Sequence, residues 1–321
     1  MKLVCYIKES HEQLALLVGD ILYDMDVLHP ELPSTMGMFL NYWEDYFPLA
    51  KVVNESIEQG KISFNKGIPL VSANLISPVP LPAACLSVFG SAAEAVPEAL
   101  SQDETFKHLP DFYFTNHHSV QGPGEVNCMP DHLKKLDFEL GIAIVVCAHG
   151  RNITAAVADQ YIGGFMIRNC INTRSRTISN DPVNPSLSKG KDIAIVLGPW
   201  LITPDELEPF QVPAREGHTG NNYNLSMKCR VNNEEVSEGN MADMSSTFAE
   251  ILAGCAYGAD IQPGDIIGSG TARGGCYFDI NETAKQKDPD YIDRWLQAGD
   301  VVEIEIDGLG ISTSRVMMDN G

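Results

Sequence analysis

Apolar and polar residues alternate along most of this chain with the two-residue period that is typical of β-strands. We predict strands, each bounded by glycine or proline, around residues 138–147, 193–203, 226–231, 265–268 and 301–317. Helical patterns are shorter and fewer, and they lie near residues 35–60, 90–101, 204–208 and 245–257. The last of these follows Ser/Thr residues suited to cap a helix and stops at Gly258. The pattern as a whole predicts a strand-rich α+β protein.

A proline-rich segment, ISPVPLPAA at 76–84, divides the chain into unequal parts. Proline cannot donate a hydrogen bond within a sheet, so this segment is not expected to form a central strand. Short β-type runs and one helical pattern before it predict a small N-terminal domain at 1–75. Residues 85–321 are then expected to form the larger, C-terminal domain.

Charge and cysteine content narrow the class of partner. The chain has 321 residues and a net charge of -21, which repels phosphate backbones and anionic membrane surfaces. We therefore expect no nucleic-acid or membrane partner, although a local basic pocket could still bind a small acid. No apolar run approaches the length of a membrane span, no secretory signal is evident, and the eight cysteines form no CxxC pair. These features favour a reduced cytoplasm.

One run, LDFELGIAIVV at 136–146, carries acids in an alternating strand pattern. Side chains two positions apart share one face of a strand, so Asp137 and Glu139 face the same way. Gly141 then leaves the next position on that face without a side chain. An acid with an empty neighbouring position indicates half of a site.

Six stretches, in the same order along nearly the whole chain, resemble the fumarylacetoacetate hydrolase (FAH) superfamily. They are the N-terminal LVGDILYDM…LPSTMGMFL, FYFTNHHSVQGPGE (112–125), GGFMIRNCINTRSRT (163–177), SKGKDIAIVLGPWLITPDELEPF (188–210), GDIIGSGTARGGCYFDIN (264–281) and AGDVVEIEIDGLGISTSRV (298–316). The resemblance implies a C-terminal β-sandwich roll with a small N-terminal α+β domain, and a homodimer. It also implies a Mg²⁺ or Mn²⁺ site at which 2-oxo and 1,3-dicarbonyl acids are hydrolysed, decarboxylated or isomerised.

The metal ligands of the family are mostly missing here. Glu139 matches the first of them, whereas Gly141, Cys170 and Val88 replace the other three. Ala95 stands at the position of the catalytic histidine.

A second segment, PDFYFTNHHSV, has the same local spacing as the missing aspartate and histidine, through Asp111, Tyr113 and His118. The GPGE sequence directly after it matches a later family segment, so we do not assign the metal ligand there.

More of the family's accessory positions than of its metal-ligand positions have the matching residue in this chain. Lys189 matches the lysine that supports the developing oxyanion, with Lys191 as the alternative if the loop register differs. Asn169, Arg174 and Thr271 match residues implied to bind the substrate.

Asp279 stands where a glutamate orients the catalytic histidine. As candidate catalytic residues we therefore take Lys189, Glu139, Cys170, Asp279, His117 and His118.

Each candidate also has a structural alternative. Glu139 is a working acid or base, or a former ligand satisfied by Lys189 or Arg174. Cys170 is a nucleophile activated by a nearby arginine such as Arg168, or a buried filler.

The two histidines are a replacement base or a solvated loop pair. Arg174 and Arg176 bind a substrate carboxylate or form structural ion pairs.

Three functions follow from these residues. The favoured one is an enzyme that acts on a 2-oxo acid or β-diketone through an enol(ate), without the usual Mg²⁺ or Mn²⁺ and with no other cofactor. Hydrolysis, decarboxylation, tautomerisation and C–C-forming cyclisation all fit it. The second is a metal-dependent C–C bond hydrolase with substituted ligands, where His117, His118 and Cys170 beside Glu139 would favour Zn²⁺. The third is a non-catalytic homologue that binds a ligand or partner.

Overall fold

The structure is a computed structural model that describes residues 1–61, 67–88, 110, 112–177 and 187–319. Within these residues, the strands are β1 Lys2–Lys8, β2 His11–Val18, β3 Ile21–Asp24, β4 Ile68–Pro69, β5 Asn74–Leu75, β6 Cys85–Val88, β7 Phe112–Phe114, β8 Val120–Gln121, β9 Gly124–Cys128, β10 Leu136–Asp137, β11 Leu140–Val146, β12 Gly150–Arg151, β13 Ile162–Thr173, β14 Ala194–Ile202, β15 Gln211–Val212, β16 Asn222–Tyr223, β17 Ser226–Val231, β18 Glu234–Asn240, β19 Asp260–Ile261, β20 Ile266–Gly268, β21 Val301–Ile306 and β22 Gly310–Met318. The α-helices are α1 Met25–Leu28, α2 Met36–Asn41, α3 Trp43–Glu58, α4 Ala155–Ala158, α5 Arg174–Thr177, α6 Leu187–Gly190, α7 Phe248–Cys255 and α8 Tyr277–Lys287. Short 3₁₀ helices cover Leu70–Ser72, His117–Ser119, His132–Lys135, Asp159–Tyr161, Pro204–Phe210 and Met241–Asp243.

Two sheets form the body of the molecule. The larger has the order β4-β3-β2-β1-β14-β13-β11-β20-β6-β7, and the smaller has the order β18-β17-β21-β22-β9. Side chains from both, such as Ile144 and Ile167 of the larger sheet and Ile304 and Val316 of the smaller, share one buried cluster. The burial of these apolar side chains between facing sheets is the main stabilising contribution of a β-sandwich. The predicted strand-rich α+β fold is confirmed.

Strand β13 is the central strand of the larger sheet. It pairs antiparallel with β11 on one side and β14 on the other, and all twelve of its residues are buried. The polar residues of β13 therefore lie inside the protein, where they must find partners or a ligand.

The N-terminal strands continue the same sheet. Lys2 and Leu3 of β1 pair with Ile202 and Leu201 of β14. Leu3 also belongs to a buried cluster that includes Ile195 of β14. The domain boundary at 76–84 stays a prediction, and sheet hydrogen bonds connect the two sides of it.

The helices differ from the sequence-based expectation in detail. The pattern over 35–60 forms two helices, α2 and α3, that are separated at Tyr42. Helix α7 begins at a capping box in which Thr247 and Glu250 bond each other's backbone N–H groups, as the sequence predicts. The predicted strand at 226–231 agrees with β17, and the helical segment at 204–208 is a 3₁₀ helix. The helix predicted near 90–101 lies outside the described residues.

Helix α8 is the longest of the described helices that the sequence pattern did not predict. Its first two backbone N–H groups, at Tyr277 and Phe278, donate to the Asp137 carboxylate at 2.7 and 3.1 Å. A distant acid therefore caps this helix in place of a local Ser or Thr. In the described part of the chain, no helix combines the length and apolar character needed to cross a membrane.

Candidate active site

Glu139 is the centre of a buried cluster of polar side chains. It lies in the short link between β10 and β11, and it is 1% exposed. Its backbone N–H donates to Asn169 Oδ1 at 3.2 Å, which fixes the link against β13. Its Oε1 accepts hydrogen bonds from Lys191 Nζ at 2.6 Å, Asn172 Nδ2 at 3.3 Å and Arg174 Nη2 at 3.5 Å. One carboxylate oxygen thus has three side-chain donors.

The charge of Glu139 is set by a balance of burial and neighbouring cations. Burial alone raises the pKa of a carboxyl group because it disfavours the charged form. Here the charges of Lys191, Arg174 and Arg168 outweigh burial and lower the pKa of Glu139 to about 2. Glu139 is therefore ionised at neutral pH.

The lysine of this cluster is Lys191. Lys189 is the first choice from the sequence motif, but the Lys189 side chain is 73% exposed and its Nζ bonds Asp192 at 2.8 Å. Lys189 lies in α6, which ends at Gly190, and only the residue after the helix is directed to Glu139. Lys191 also donates to the Tyr113 hydroxyl at 2.9 Å. The structure therefore brings the alternative lysine, not the first choice, into the cluster.

Neighbouring charges also influence the protonation states of Lys191 and Tyr113. Burial lowers the pKa of Lys191, but Glu139 and Tyr113 raise it by more than burial lowers it. The pKa is therefore above its ordinary value and the amine is protonated at neutral pH. Burial, and then the Glu139 charge, raise the pKa of the Tyr113 hydroxyl. Both groups are proton donors at neutral pH.

Arg174 joins the cluster to helix α8 through Asp137. Its Nε donates to Asp137 Oδ2 at 2.9 Å, and its guanidinium lies 5.3 Å from the centre of the Phe278 ring. Burial raises the pKa of Asp137 above its ordinary value, and Arg174 and the N–H groups of Tyr277 and Phe278 offset that rise only in part. Because every described contact of Asp137 is with a donor, its surroundings satisfy the carboxylate form.

Arg168 is the least satisfied group of the cluster. It is completely buried on β13, and its Nη1 lies 3.6 Å from Glu139 Oε2, an ion pair without a hydrogen bond. Neither its three side-chain nitrogens nor Glu139 Oε2 makes a hydrogen bond with any residue that the structure describes. Burial lowers the pKa of Arg168, but Cys170, Tyr113 and Glu139 raise it more, so the guanidinium stays charged.

Arg168 fits beside β20 because residue 268 is a glycine. A Cβ at Gly268 would lie 2.8 Å from both Cδ and Nε of Arg168. Any larger residue at 268 would therefore displace the arginine.

Cys170 does not have the surroundings of a nucleophile. It is fully buried, and burial followed by the nearby Glu139 charge raises the pKa of its thiol to about 11. The cations Arg168, Lys191 and Arg174 lower this pKa but do not restore its ordinary value. At neutral pH the side chain is a neutral thiol, as the filler interpretation requires.

The described residues do not fit the divalent ion that the family implies. Among the described residues, no three His, Cys, Asp or Glu side chains come together in a way that could hold a metal ion. A Cβ at Gly141 would lie 2.5 Å from the Gly270 carbonyl oxygen, so the space of a second glutamate is filled by backbone. Val88 ends β6 as a buried apolar residue, and Ala95 lies outside the described part of the chain. The remaining carboxylate, Glu139, is already surrounded by cations.

The contacts described for the histidine pair are local to its own loop. His117 and His118 occupy the 3₁₀ helix at 117–119, where Asn116 caps the backbone and the two rings lie 4.1 Å apart. The structure therefore does not assemble the zinc-type set of these histidines with Cys170 and Glu139 in the described region.

Asp279 lies half-buried in the first turn of α8, near Cys276. Thr271 follows Gly270, the residue whose carbonyl covers Gly141. Both remain candidate residues. The side chain of Arg176 lies outside the described part.

Some residues of the cluster were missed or undervalued by sequence reasoning. Arg168, Cys170 and Asn172 alternate along β13, so the two-residue period puts them on one face together. Tyr113 was excluded as a metal-site residue, yet β7 pairs with β6 and Tyr113 receives a hydrogen bond from Lys191. Asp137 was noted for its spacing only, because its partner helix α8 was not predicted.

Comparison with known proteins settles the family. Residues 85–317 match the Fumarylacetoacetate (FAA) hydrolase C-terminal domain family. The chain belongs to this family. The recognition made from the sequence motifs is thereby confirmed.

Relatives with names and solved structures span nearly the full chain. A mitochondrial oxaloacetate tautomerase of Rattus norvegicus is 26% identical over 312 residues, covering 97% of this chain and 89% of its own length. Maleylpyruvate hydrolase of Sphingobium sp. SYK-6, solved with manganese(II) and pyruvate, covers 100% of both chains at 19% identity and a TM-score of 0.70. A 5-carboxymethyl-2-hydroxymuconate delta-isomerase of Mycobacterium smegmatis covers 99% of this chain and 100% of its own, at 18% identity and a TM-score of 0.66. Two of these names specify an oxo acid, oxaloacetate or maleylpyruvate, and the maleylpyruvate hydrolase structure contains manganese(II).

Proposed function

We propose that this protein interconverts the keto and enol forms, or double-bond isomers, of a 2-oxo acid by proton transfer, without a divalent ion. The observation that carries the proposal is the position of Lys191, whose Nζ contacts Glu139 Oε1 at 2.6 Å and Tyr113 Oη at 2.9 Å. A protonated amine beside an ionised carboxylate provides an acid and a base within one hydrogen bond of each other. The names of the relatives support an oxo acid as the substrate class.

The proposed reaction needs only groups of this cluster. Glu139 Oε2 takes the proton from C3 of the substrate, and the C–H electron pair forms the C2=C3 double bond. The C2=O π pair moves to oxygen, which takes a proton from Lys191. Rotation of the Glu139 carboxyl group then turns its protonated oxygen to the neutral Lys191 amine, which contacts Oε1 at 2.6 Å in the resting protein. The proton returns to Lys191, so the enzyme is restored and the substrate has become its enol.

The low pKa makes Glu139 a weak base in the resting protein, and we expect this pKa to rise in the complex with substrate. An anionic substrate in the cluster offsets the charges of Lys191, Arg174 and Arg168, which hold that pKa at about 2. The pKa of Glu139 then rises toward its ordinary value, and its basicity rises with it. Substrate binding itself thus prepares the base.

Proton transfer is favoured over hydrolysis because it needs no activated water. Hydrolysis requires a base for water, and Ala95 replaces the family histidine that performs this task. Decarboxylation and C–C-forming cyclisation use the same enolate and stay secondary possibilities. No step is assigned to a metal ion, because the described donor set does not fit one.

Two matched lysine variants test the proposal. With oxaloacetate as substrate and EDTA in the buffer, we expect Lys191→Met to lower kcat/KM by roughly 10²- to 10⁴-fold, the usual range for loss of an acid–base group. Lys189→Met, two residues away and directed to solvent, should stay close to the unaltered protein. Enol–keto conversion is followed by its ultraviolet absorbance.

Full activity in Lys191→Met would refute the acid–base role. Activity that is abolished by EDTA and restored by Mn²⁺ would refute the metal-free reaction. Circular dichroism spectra of both variants control for misfolding.

Three further expectations accompany this function. The partners are small oxo acids, the assembly is a homodimer, and the compartment is the cytoplasm. Sedimentation velocity tests the homodimer, and fractionation of cells that express the protein tests the compartment.

A further inference from the structure

The cluster around Glu139 has more positive than negative charge. Arg168, Arg174 and Lys191 face two carboxylates, Asp137 and Glu139, which leaves one net positive charge. The whole chain is strongly acidic, with a net charge of -21, so this excess is local. An isolated charge in a protein interior is costly unless it is paired.

The excess charge is concentrated on Arg168. Arg174 has a close bond to Asp137 and Lys191 has one to Glu139, at 2.9 and 2.6 Å. The guanidinium of Arg168, by contrast, makes no hydrogen bond within the described residues although it is completely buried. A buried guanidinium with unused donors indicates a binding site for an anion.

We infer that Arg168 takes the place of the family's divalent ion and binds the carboxylate and adjacent oxo oxygen of a 2-oxo acid in preference to a neutral β-diketone. This inference rests on the proposed function and names its substrate class. A planar guanidinium presents pairs of N–H donors that match two neighbouring oxygens, as in arginine–carboxylate pairs. A neutral diketone would leave the local charge uncompensated.

The residues around Arg168 are suited to this role. Gly268 provides the space in which its side chain lies, as the contacts of a Cβ at that position show. Cys170, two positions along β13 and on the same face, has no carboxylate that could pair with the guanidinium. An aspartate there would pair with the guanidinium and occupy the donors that the ligand needs. The cysteine thus keeps Arg168 available.

Oxalate is a suitable probe because it presents neighbouring carboxylate oxygens and cannot react. We expect calorimetry in EDTA to show binding of oxalate to the unaltered protein, and at least a 30-fold weaker Kd in Arg168→Met. Arg168→Lys, which retains the charge but not the planar fork, should fall between them. Acetylacetone, the neutral diketone probe, should bind at least 30-fold more weakly than oxalate.

A second variant keeps Arg168 in place. Cys170→Asp should weaken oxalate binding to a similar extent, because the new carboxylate pairs with the guanidinium. This variant tests the inference even where Arg168→Met does not fold. Lys189→Met is the matched surface control and should bind oxalate normally.

Other outcomes overturn the inference. These are oxalate binding that requires Mn²⁺, equal binding by Arg168→Met, or acetylacetone binding as tight as that of oxalate. The proposed function fails separately: Arg168-dependent oxalate binding without turnover of oxaloacetate would refute catalysis and leave the anion site standing. Turnover of oxaloacetate in EDTA, together with unchanged oxalate affinity in Arg168→Met, would refute the anion site and leave the proposed catalysis standing.

Discussion

Arg168 should contribute little or nothing to the free energy of unfolding of this protein. The perturbation is Arg168→Met, which replaces the charged side chain by an apolar one of similar length. The Coulomb attraction between Arg168 and Glu139 at 3.6 Å is roughly 4 to 5 kcal/mol at an effective dielectric constant of about 20. The cost of removing a guanidinium from water is several kcal/mol, and repulsion from Arg174 and Lys191 adds to it.

These opposing contributions nearly cancel, and Glu139 keeps Lys191 and Arg174 when Arg168 is removed. We therefore expect the free energy of unfolding of Arg168→Met to be within about 1 kcal/mol of the unaltered protein, or higher. Arg174→Met is the contrasting variant, because it leaves the buried Asp137 without its cation. Removal of one partner from such a pair costs about 3 to 5 kcal/mol.

Urea unfolding followed by circular dichroism, in EDTA and without anions, measures both values at equilibrium. A loss of stability in Arg168→Met as large as that in Arg174→Met would refute the reasoning. It would mean that Arg168 is bonded within the resting protein and is not held there for a ligand. Addition of oxalate should stabilise the unaltered protein but not Arg168→Met.

Two other measurements address Glu139 and Cys170. Because the folded-state pKa of Glu139 is lowered from 4.5 to about 2, its contribution to stability is complete above pH 4.5 and is lost as the pH falls toward 2. Between pH 5 and 2 the unaltered protein should lose on the order of 3 kcal/mol more than Glu139→Gln in urea unfolding, and parallel curves would contradict the lowered pKa. Cys170 is buried with a thiol pKa raised to about 11, so iodoacetamide at pH 7 should label it far more slowly in the folded than in the unfolded chain, as read by peptide mass spectrometry. Preferential labelling of Cys170 over the other seven cysteines would restore the nucleophile hypothesis.

The sequence was sufficient for the family, the strand pattern and the central position of Glu139. It could not choose between Lys189 and Lys191, because both follow a segment without regular periodicity and the choice depends on where α6 ends. The difference is large in space, since one amine meets solvent and the other meets Glu139.

Arg168 was harder to recognise for a different reason. Arginine side chains are seldom fully buried. An arginine in a strand is therefore expected at the edge of a site, not at its most buried position. Its position depends on Gly268 in β20, which is distant along the chain and adjacent only after the sheet has formed. Asp137 depends similarly on α8, a polar helix whose start is fixed by that same acid.

The close approach of the Gly270 carbonyl to Gly141 has a consequence for any attempt to engineer a metal site into this chain. A side chain at 141 would meet that oxygen at 2.5 Å, so a single substitution to glutamate cannot rebuild the second ligand position. The 269–270 backbone would have to move first, and such a movement has no benefit until the carboxylate is present. A variant with a second glutamate ligand would therefore need the substitution and the backbone movement together.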